Sequence, residues 1–153
     1  MSDEYKNDLM NYRLERAHEC IKDAESDITD GSLYSAANRL YYAVFNAMRG
    51  LLAYDNLDFS KHSGVISYIR SQYIKTGIID LKFSELIRNA ESIRSDCDYK
   101  DFYMPVKEEL EKYMPIVKEF IACIETSYPF MLHLTPDHLH RSRVTLHSCL
   151  IKT

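Results

Sequence analysis

The chain has 153 residues and a formal net charge of −4, and 46% of its residues are hydrophobic. A single domain of this size buries a substantial core, so disorder throughout is excluded. The low content of 4 Gly and 4 Pro argues against a turn-rich β fold, and the negative charge argues against a protein that coats duplex DNA.

Apolar residues recur every three or four positions through most of the chain, which is the spacing of amphipathic helices. We therefore expect an all-α protein, a bundle of about five helices. The first predicted helix ends before Gly31, a residue that commonly stops helices. Its inward face is predicted to comprise Tyr5, Leu9, Tyr12, Ala17, Ile21, Ala24 and Ile28.

The second predicted helix begins after Ser32, a plausible N-cap residue, and ends near Tyr54. Its apolar face is wide, which indicates a central position in the bundle. A third helix is predicted from about residue 63 to 75, and Thr76 and Gly77 stop it.

The fourth helix is predicted over about residues 80–97, followed by a loop over 98–104. Pro105 suits the first position of a fifth helix, where its missing N–H is not needed. Pro115 lies inside the apolar pattern of that helix, so we expect it to kink or split the helix.

The composition changes near Ser127, so the sequence divides into a helical domain over 1–127 and an atypical tail over 128–153. The tail has a formal charge of +2 from one acidic and three basic residues, and four of the chain's 6 His fall within it. These are His133, His138, His140 and His147. Two interpretations stay open: a metal-binding or RNA-binding tail, or an appended, poorly ordered segment without a selected function.

The 4 cysteines are far apart in the sequence, at Cys20, Cys97, Cys123 and Cys149. No CxxC or zinc-ligand spacing is present, so no metal site is predicted. Buried, reduced thiols in a cytoplasmic protein are the expectation. The polar N-terminal stretch does not have the pattern of a signal peptide, and no apolar run approaches the length of a membrane span.

Four short motifs follow one another along the predicted bundle. They are RLYYAVF at 39–45, KHSGVI at 61–66, KTG at 75–77 and RSDCDY at 94–99. In this order and spacing the chain resembles the short, single-domain HEPN proteins of prokaryotes over about residues 5–125. The resemblance implies an up-and-down helical bundle that forms a homodimer.

The resemblance also implies a function. Many HEPN proteins are the toxin half of a toxin–antitoxin pair with a small nucleotidyltransferase-like partner, and active members are ribonucleases that need no metal or other cofactor. Their signature is an Arg followed after four to six residues by a His. By this resemblance we expect a protein that acts on RNA, or a non-catalytic module that binds RNA or nucleotide or docks the nucleotidyltransferase.

The chain departs from the signature, because Asp98 and Tyr99 follow Arg94 where the His is expected. RNA cleavage without metal needs a base for the 2′-hydroxyl and an acid for the 5′-oxygen, and a His serves either role near neutral pH. A carboxyl group is normally ionised there and is a poor acid. We take Arg94 as a phosphate clamp and Asp98 and Tyr99 as candidate catalytic groups. Alternatively, Arg94 and Asp98, four apart on a helix, form only an ion pair.

Arg39, Tyr42 and His62 are the candidate nucleotide- or RNA-binding residues. Arg39 lies among apolar residues and needs a partner, either an acid of the RSDCDY motif or the ligand itself. His62 is the one His of the HEPN-like region that can replace the missing one, with a structural role at a helix start as the alternative. The bare Arg–His spacing also occurs at 13–18 and 141–147, where chance explains it.

Overall fold

The computed structural model describes residues 2–131, and the side chains of residues 2–127. This part of the chain forms a bundle of five α-helices and contains no β-strand, which confirms the predicted all-α fold. The helices are α1 (Asp3–Asp30), α2 (Leu33–Tyr54), α3 (His62–Ile69), α4 (Lys82–Tyr99) and α5 (Lys107–Met131). A π-helical turn over Arg70–Ile74 continues α3.

The second helix is the centre of the bundle, as its wide apolar face predicts. It packs most extensively against α1 and also contacts α3, α4 and α5. Val44, Met48 and Leu52 are among its fully buried side chains. Gly31 separates α1 from α2 and adopts a φ of 77°, a left-handed conformation that glycine adopts without strain.

The inward face of α1 differs from the predicted one at its N-terminal end. Tyr5 and Tyr12 are 53% and 60% exposed, because the predicted stripe breaks its own period between Tyr12 and Ala17. The buried residues keep a spacing of three or four throughout. They are Met10, Arg13, Leu14, Ala17, Cys20, Ile21, Ala24 and Ile28.

Helix boundaries near the fourth motif also differ from the predicted ones. α4 extends through Asp98 and Tyr99, which were expected to begin a loop. α5 begins at Lys107, two residues after Pro105. Pro115 does not split α5, because it lies on the exposed face of the helix, where the carbonyl that loses its donor can bind water.

The remaining expectations for the domain concern thiols, metals and membranes. Cys20 and Cys123 are buried free thiols as predicted, whereas Cys97 is only half-buried. Within the described residues, no cluster of three or more potential metal ligands is present, and no helix has the length and hydropathy to cross a bilayer. Cys149 and the four tail histidines lie outside the described residues.

Candidate functional site

Helices α2, α3 and α4 bring residues of the first, second and fourth motifs together around one aromatic cluster. The cluster consists of Tyr41, Tyr42 and Phe45 from α2 and His62 from the start of α3. The ring centroids of Phe45 and His62 are 4.0 Å apart, and Tyr41 stacks on Phe45 at 5.9 Å. Packing on these rings fixes the position of the imidazole on the surface of the bundle.

The hydroxyl of Tyr41 is the hydrogen-bond partner of His62. It lies 3.2 Å from Nδ1 of the imidazole, although the tyrosine as a whole is only 4% exposed. Burial raises the pKa of Tyr41 above its usual value, so the hydroxyl stays protonated. When Nδ1 donates its proton to this oxygen, Nε2 of His62 keeps a free lone pair, as a general base requires.

The guanidinium of Arg94 lies over the same aromatic rings. Its central carbon is 4.9 Å from the ring centroid of Tyr41 and 5.7 Å from that of Tyr42, which is the geometry of a cation–π contact. This contact brings an anion-binding side chain from α4 next to His62, although 32 positions separate Arg94 and His62 in the sequence.

The hydrogen-bonding capacity of Arg94 is incompletely used. Its distance to the carboxylate of Asp98 is 3.7 Å, too long for a hydrogen bond. Its Nε is buried and has no hydrogen-bond partner among the described residues. The predicted ion pair therefore exists, and the two terminal nitrogens of the guanidinium make no hydrogen bond within the described residues, which leaves them able to bind a phosphate.

The imidazole of His62 is held in its neutral form. Burial is the main cause that lowers the pKa of His62 below 6.5, and the positive charges of Arg94 and Arg49 add to it. A neutral imidazole at pH 7 accepts a proton, whereas an imidazolium cannot. A proton acceptor therefore lies near a cationic side chain that is able to bind an anion.

A buried arginine that the sequence analysis did not single out for this role supports the segment before His62. Arg13 of α1 donates a hydrogen bond of 2.9 Å to the carbonyl of Arg49. Both arginines lie within 4 Å of the Asp58 carboxylate, which also accepts the N–H of Phe59. An arginine at a core position of an amphipathic helix is the sequence signal that indicates such a partner.

The predicted site residues divide into two groups. Arg94, His62 and Tyr42 come together, with Asp98 at the edge. Arg39 does not join them: it hydrogen-bonds Asn38 at 3.1 Å, and its charge acts on the Cys20 thiol of α1. In the described residues Asp96 and Asp98 pair with Lys100 and Arg94, so the expected pairing of Arg39 with either acid is absent. Tyr99 is 83% exposed.

The other Arg–His spacing within the described residues does not form a site. Arg13 is buried against α2, whereas His18 lies on the opposite side of α1 and pairs with Glu125 of α5 at 2.5 Å. The spacing at 141–147 lies outside the described residues.

Comparison with known proteins shows the family of the chain. A family model described as the HEPN domain matches residues 10–127. A UPF0332 protein of Thermotoga maritima is 31% identical over 120 residues, which cover 78% of this chain and 91% of that protein. The chain therefore belongs to the HEPN domain family, as the four motifs predicted.

Two proteins of Methanocaldococcus jannaschii are also similar to the chain, and both carry the name "Putative toxin". One is 30% identical over 111 residues, covering 72% of this chain and 74% of the relative. The other is 30% identical over 97 residues, covering 63% of this chain and 72% of the relative.

Proposed function

We propose that this HEPN protein is the toxin-type component of a prokaryotic toxin–antitoxin pair and that it cleaves RNA. The observation that carries the proposal is that Arg94 and His62 lie on the same aromatic cluster, with the terminal nitrogens of Arg94 and Nε2 of His62 free of hydrogen bonds within the described residues. The names of the two Methanocaldococcus relatives support the toxin role. In this proposal His62 acts as the general base in place of the His that the fourth motif lacks.

The proposed reaction uses the 2′-hydroxyl of the RNA as the nucleophile. Arg94 binds the non-bridging oxygens of the phosphate with its planar fork. Nε2 of His62 removes the 2′-hydroxyl proton, the 2′-oxygen bonds to phosphorus, and the bond to the 5′-oxygen breaks. The leaving 5′-oxygen takes a proton from water. Tyr41 orients the imidazole, and the half-buried ring of Tyr42 offers a face on which a base can stack.

The test is incubation of the purified full chain with single-stranded RNA, without added metal. Arg94→Ala should lower the cleavage rate by about 100-fold or more, because it removes the charge that stabilises the transition state. Arg88→Ala is the matched control, because Arg88 is an exposed arginine of the same helix that pairs with Glu85. Cleavage that is equal in the parent and in a folded Arg94→Ala variant contradicts the proposal.

Asp98→Asn separates the two candidates for the missing His. If His62 is the base, this variant should keep cleavage within about threefold, since the 3.7 Å contact with Arg94 contributes little. If Asp98 is the base, the variant should lose cleavage while His62→Gln keeps it. That result would leave the ribonuclease in place and move its chemistry to the end of α4.

A non-catalytic module that binds RNA or nucleotide is the second candidate function. The observation in its favour is the fourth motif itself, where Asp98 and Tyr99 stand in place of the His. RNA that binds the parent and dissociates intact, with binding lost in Arg94→Ala, is the result expected of this candidate.

We also propose a homodimer and, by the same family resemblance, a small nucleotidyltransferase-like antitoxin as partner. A run of exposed apolar side chains at the end of α4 and after it, Tyr99, Phe102, Met104 and Val106, supports an interface between two copies. Phe102 holds a φ of 61° with its ring fully exposed. Sedimentation velocity should show a dimer that Phe102→Ser weakens, and a monomeric parent contradicts it.

A further inference from the structure

A groove lies between α3 and α4 near the proposed site, and its lining combines Ile66 with polar and charged side chains. It has a volume of about 410 Å³. Ser63, Ser67 and Ser71 lie along its α3 side, each four residues after the last, and Lys75 continues the series. Arg70 and Glu91 form a 2.9 Å ion pair that joins the two helices in this groove. The groove therefore has a face of hydroxyl and cationic donors.

The π-helical turn completes this face. The N–H of Lys75 donates to the carbonyl of Arg70 over 2.9 Å, a bond that spans five residues instead of four. In an uninterrupted α-helix Ile74 would follow Arg70 and Ser71 on the groove side. Within the π-helical turn Ile74 is buried in the core, where it is 5% exposed, and Lys75 lines the groove together with Ser71.

The side chains of Ser63, Ser67 and Lys75 on this face are available to a ligand, whereas the Ser71 hydroxyl donates to the carbonyl of Tyr68 over 3.3 Å. The hydroxyls of Ser63 and Ser67 make no hydrogen bond within the described residues, and the ammonium of Lys75 makes no ion pair there. Arg70 is offset by Glu91, so Lys75 supplies the unbalanced charge. Serine hydroxyls and cationic side chains are the groups that contact nucleic-acid phosphates and fix the strand without reading its sequence.

The groove lies close to the proposed catalytic site along the chain. Ser63 follows His62 directly, and Glu91 lies one helical turn before Arg94 on α4. From Ser63 to Lys75 the face extends roughly 18 Å at about 1.5 Å per residue. We propose that this groove binds the phosphates of the nucleotides that flank the cleaved one, so that the RNA strand follows α3 from His62 to Lys75. This inference depends on the proposed RNA function.

Salt-dependent binding of single-stranded RNA tests the groove. The probe is a fluorescent RNA oligonucleotide of about eight nucleotides, a length typical of single-strand sites. Its central nucleotides are 2′-deoxy, so the proposed reaction cannot cleave it. Lys75→Gln should make the negative slope of log K against log salt shallower by about 0.7, the value for one phosphate contact. If the parent and Lys75→Gln bind equally at 1 M salt, this difference in slope makes the variant bind about fivefold more weakly at 0.1 M.

Matched variants and probes identify the ligand. Lys22→Gln, an exposed lysine of α1, removes the same charge elsewhere and should leave the slope unchanged. Ser67→Asp should weaken binding of the long probe further, because it places a carboxylate in the groove. A dinucleotide and inorganic phosphate occupy only the Arg94 site in this scheme, so Lys75→Gln should not alter their binding.

The outcomes distinguish this inference from the function on which it depends. Long-probe binding that Arg94→Ala abolishes, with Lys75→Gln and Ser67→Asp equal to the parent, overturns the groove and keeps the RNA site. A parent that binds neither probe overturns both. Equal weakening of the dinucleotide and the long probe by Lys75→Gln means that the groove binds isolated phosphate groups, and this result also contradicts the proposed strand path.

Discussion

Two histidines on the surface of the same bundle have opposite surroundings. His62 packs on Phe45 at 4.0 Å, uses Nδ1 for the Tyr41 hydroxyl, and keeps Nε2 free of hydrogen bonds within the described residues. His18 is 57% exposed, and its Nε2 is occupied by the Glu125 carboxylate at 2.5 Å. A base needs a free, oriented nitrogen, so only His62 is equipped to take a proton from a substrate.

The arginines near these histidines differ in the same way. The side chain of Arg94 is 32% exposed, and its guanidinium lies over the aromatic rings without a hydrogen bond within the described residues. Arg13, five positions before His18, is buried and donates to the carbonyl of Arg49. The contrast teaches that Arg–His spacing along one helix does not define a site, because residues five apart on α1 point to different sides of the helix.

The largest expected effect sharpens this contrast directly. His62→Gln should lower RNA cleavage by about 10²- to 10⁴-fold, the usual contribution of a general base, whereas His18→Gln should leave the rate within about twofold. The measurement is the single-turnover cleavage rate, with circular dichroism as the control for folding. Equal loss in both variants would show that neither histidine acts as the base.

The second prediction assigns Arg13 a structural role. Arg13→Ala should lower the free energy of unfolding by about 3 kcal/mol, because the carbonyl of Arg49 and the Asp58 carboxylate lose a partner. Arg16→Ala, on the exposed face of the same helix, should change it by less than about 0.5 kcal/mol. Urea denaturation measures both, and equal values would mean that burial of Arg13 contributes nothing.

The third prediction concerns pH. Cleavage needs the neutral imidazole, and the pKa of His62 is lowered below 6.5. The rate should therefore stay constant as the pH falls to about 6.5 and then decline about tenfold per unit below the lowered pKa. A rate that rises on acidification would show that His62 acts as an acid instead. His18→Gln should have the same profile as the parent.

A smaller effect is expected from the partner of the imidazole. Tyr41→Phe removes the hydroxyl 3.2 Å from Nδ1 and should destabilise the fold by about 1 kcal/mol. Cleavage should fall on the order of tenfold, because the ring of His62 loses the bond that orients it. Tyr54→Phe, a hydroxyl at the far end of α2, is the control, and an unchanged rate in Tyr41→Phe would assign orientation to Phe45 alone.

The smallest effect is expected at the comparison histidine. Glu125→Gln should change the free energy of unfolding by less than about 1 kcal/mol, because exposed ion pairs contribute little. Thermal denaturation at two salt concentrations measures it. A loss of several kcal/mol would mean that the α1–α5 contact is a principal support of the bundle.

Local sequence patterns predicted the class of fold, the family and the approximate position of each helix in the part of the chain that the structure describes. The spacing of apolar residues and the residues that stop helices are local signals, so the first and third helices end near Gly31 and Gly77 as predicted. The four motifs were sufficient for the HEPN assignment. Local signals are less accurate at two places. The apolar pattern predicts Tyr5 and Tyr12 on the inward face, where the structure exposes both, and it predicts the end of α4 two residues too early.

Which candidate residues meet depends on how the helices pack together. Arg94 and His62 lie on different helices, and their proximity depends on how α3 and α4 pack around α2. The same packing turned Arg39 away toward α1 and exposed Tyr99. The apolar period determines on which side of its own helix a residue lies. The residues that it contacts on another helix depend on how the two helices cross, which non-local packing sets.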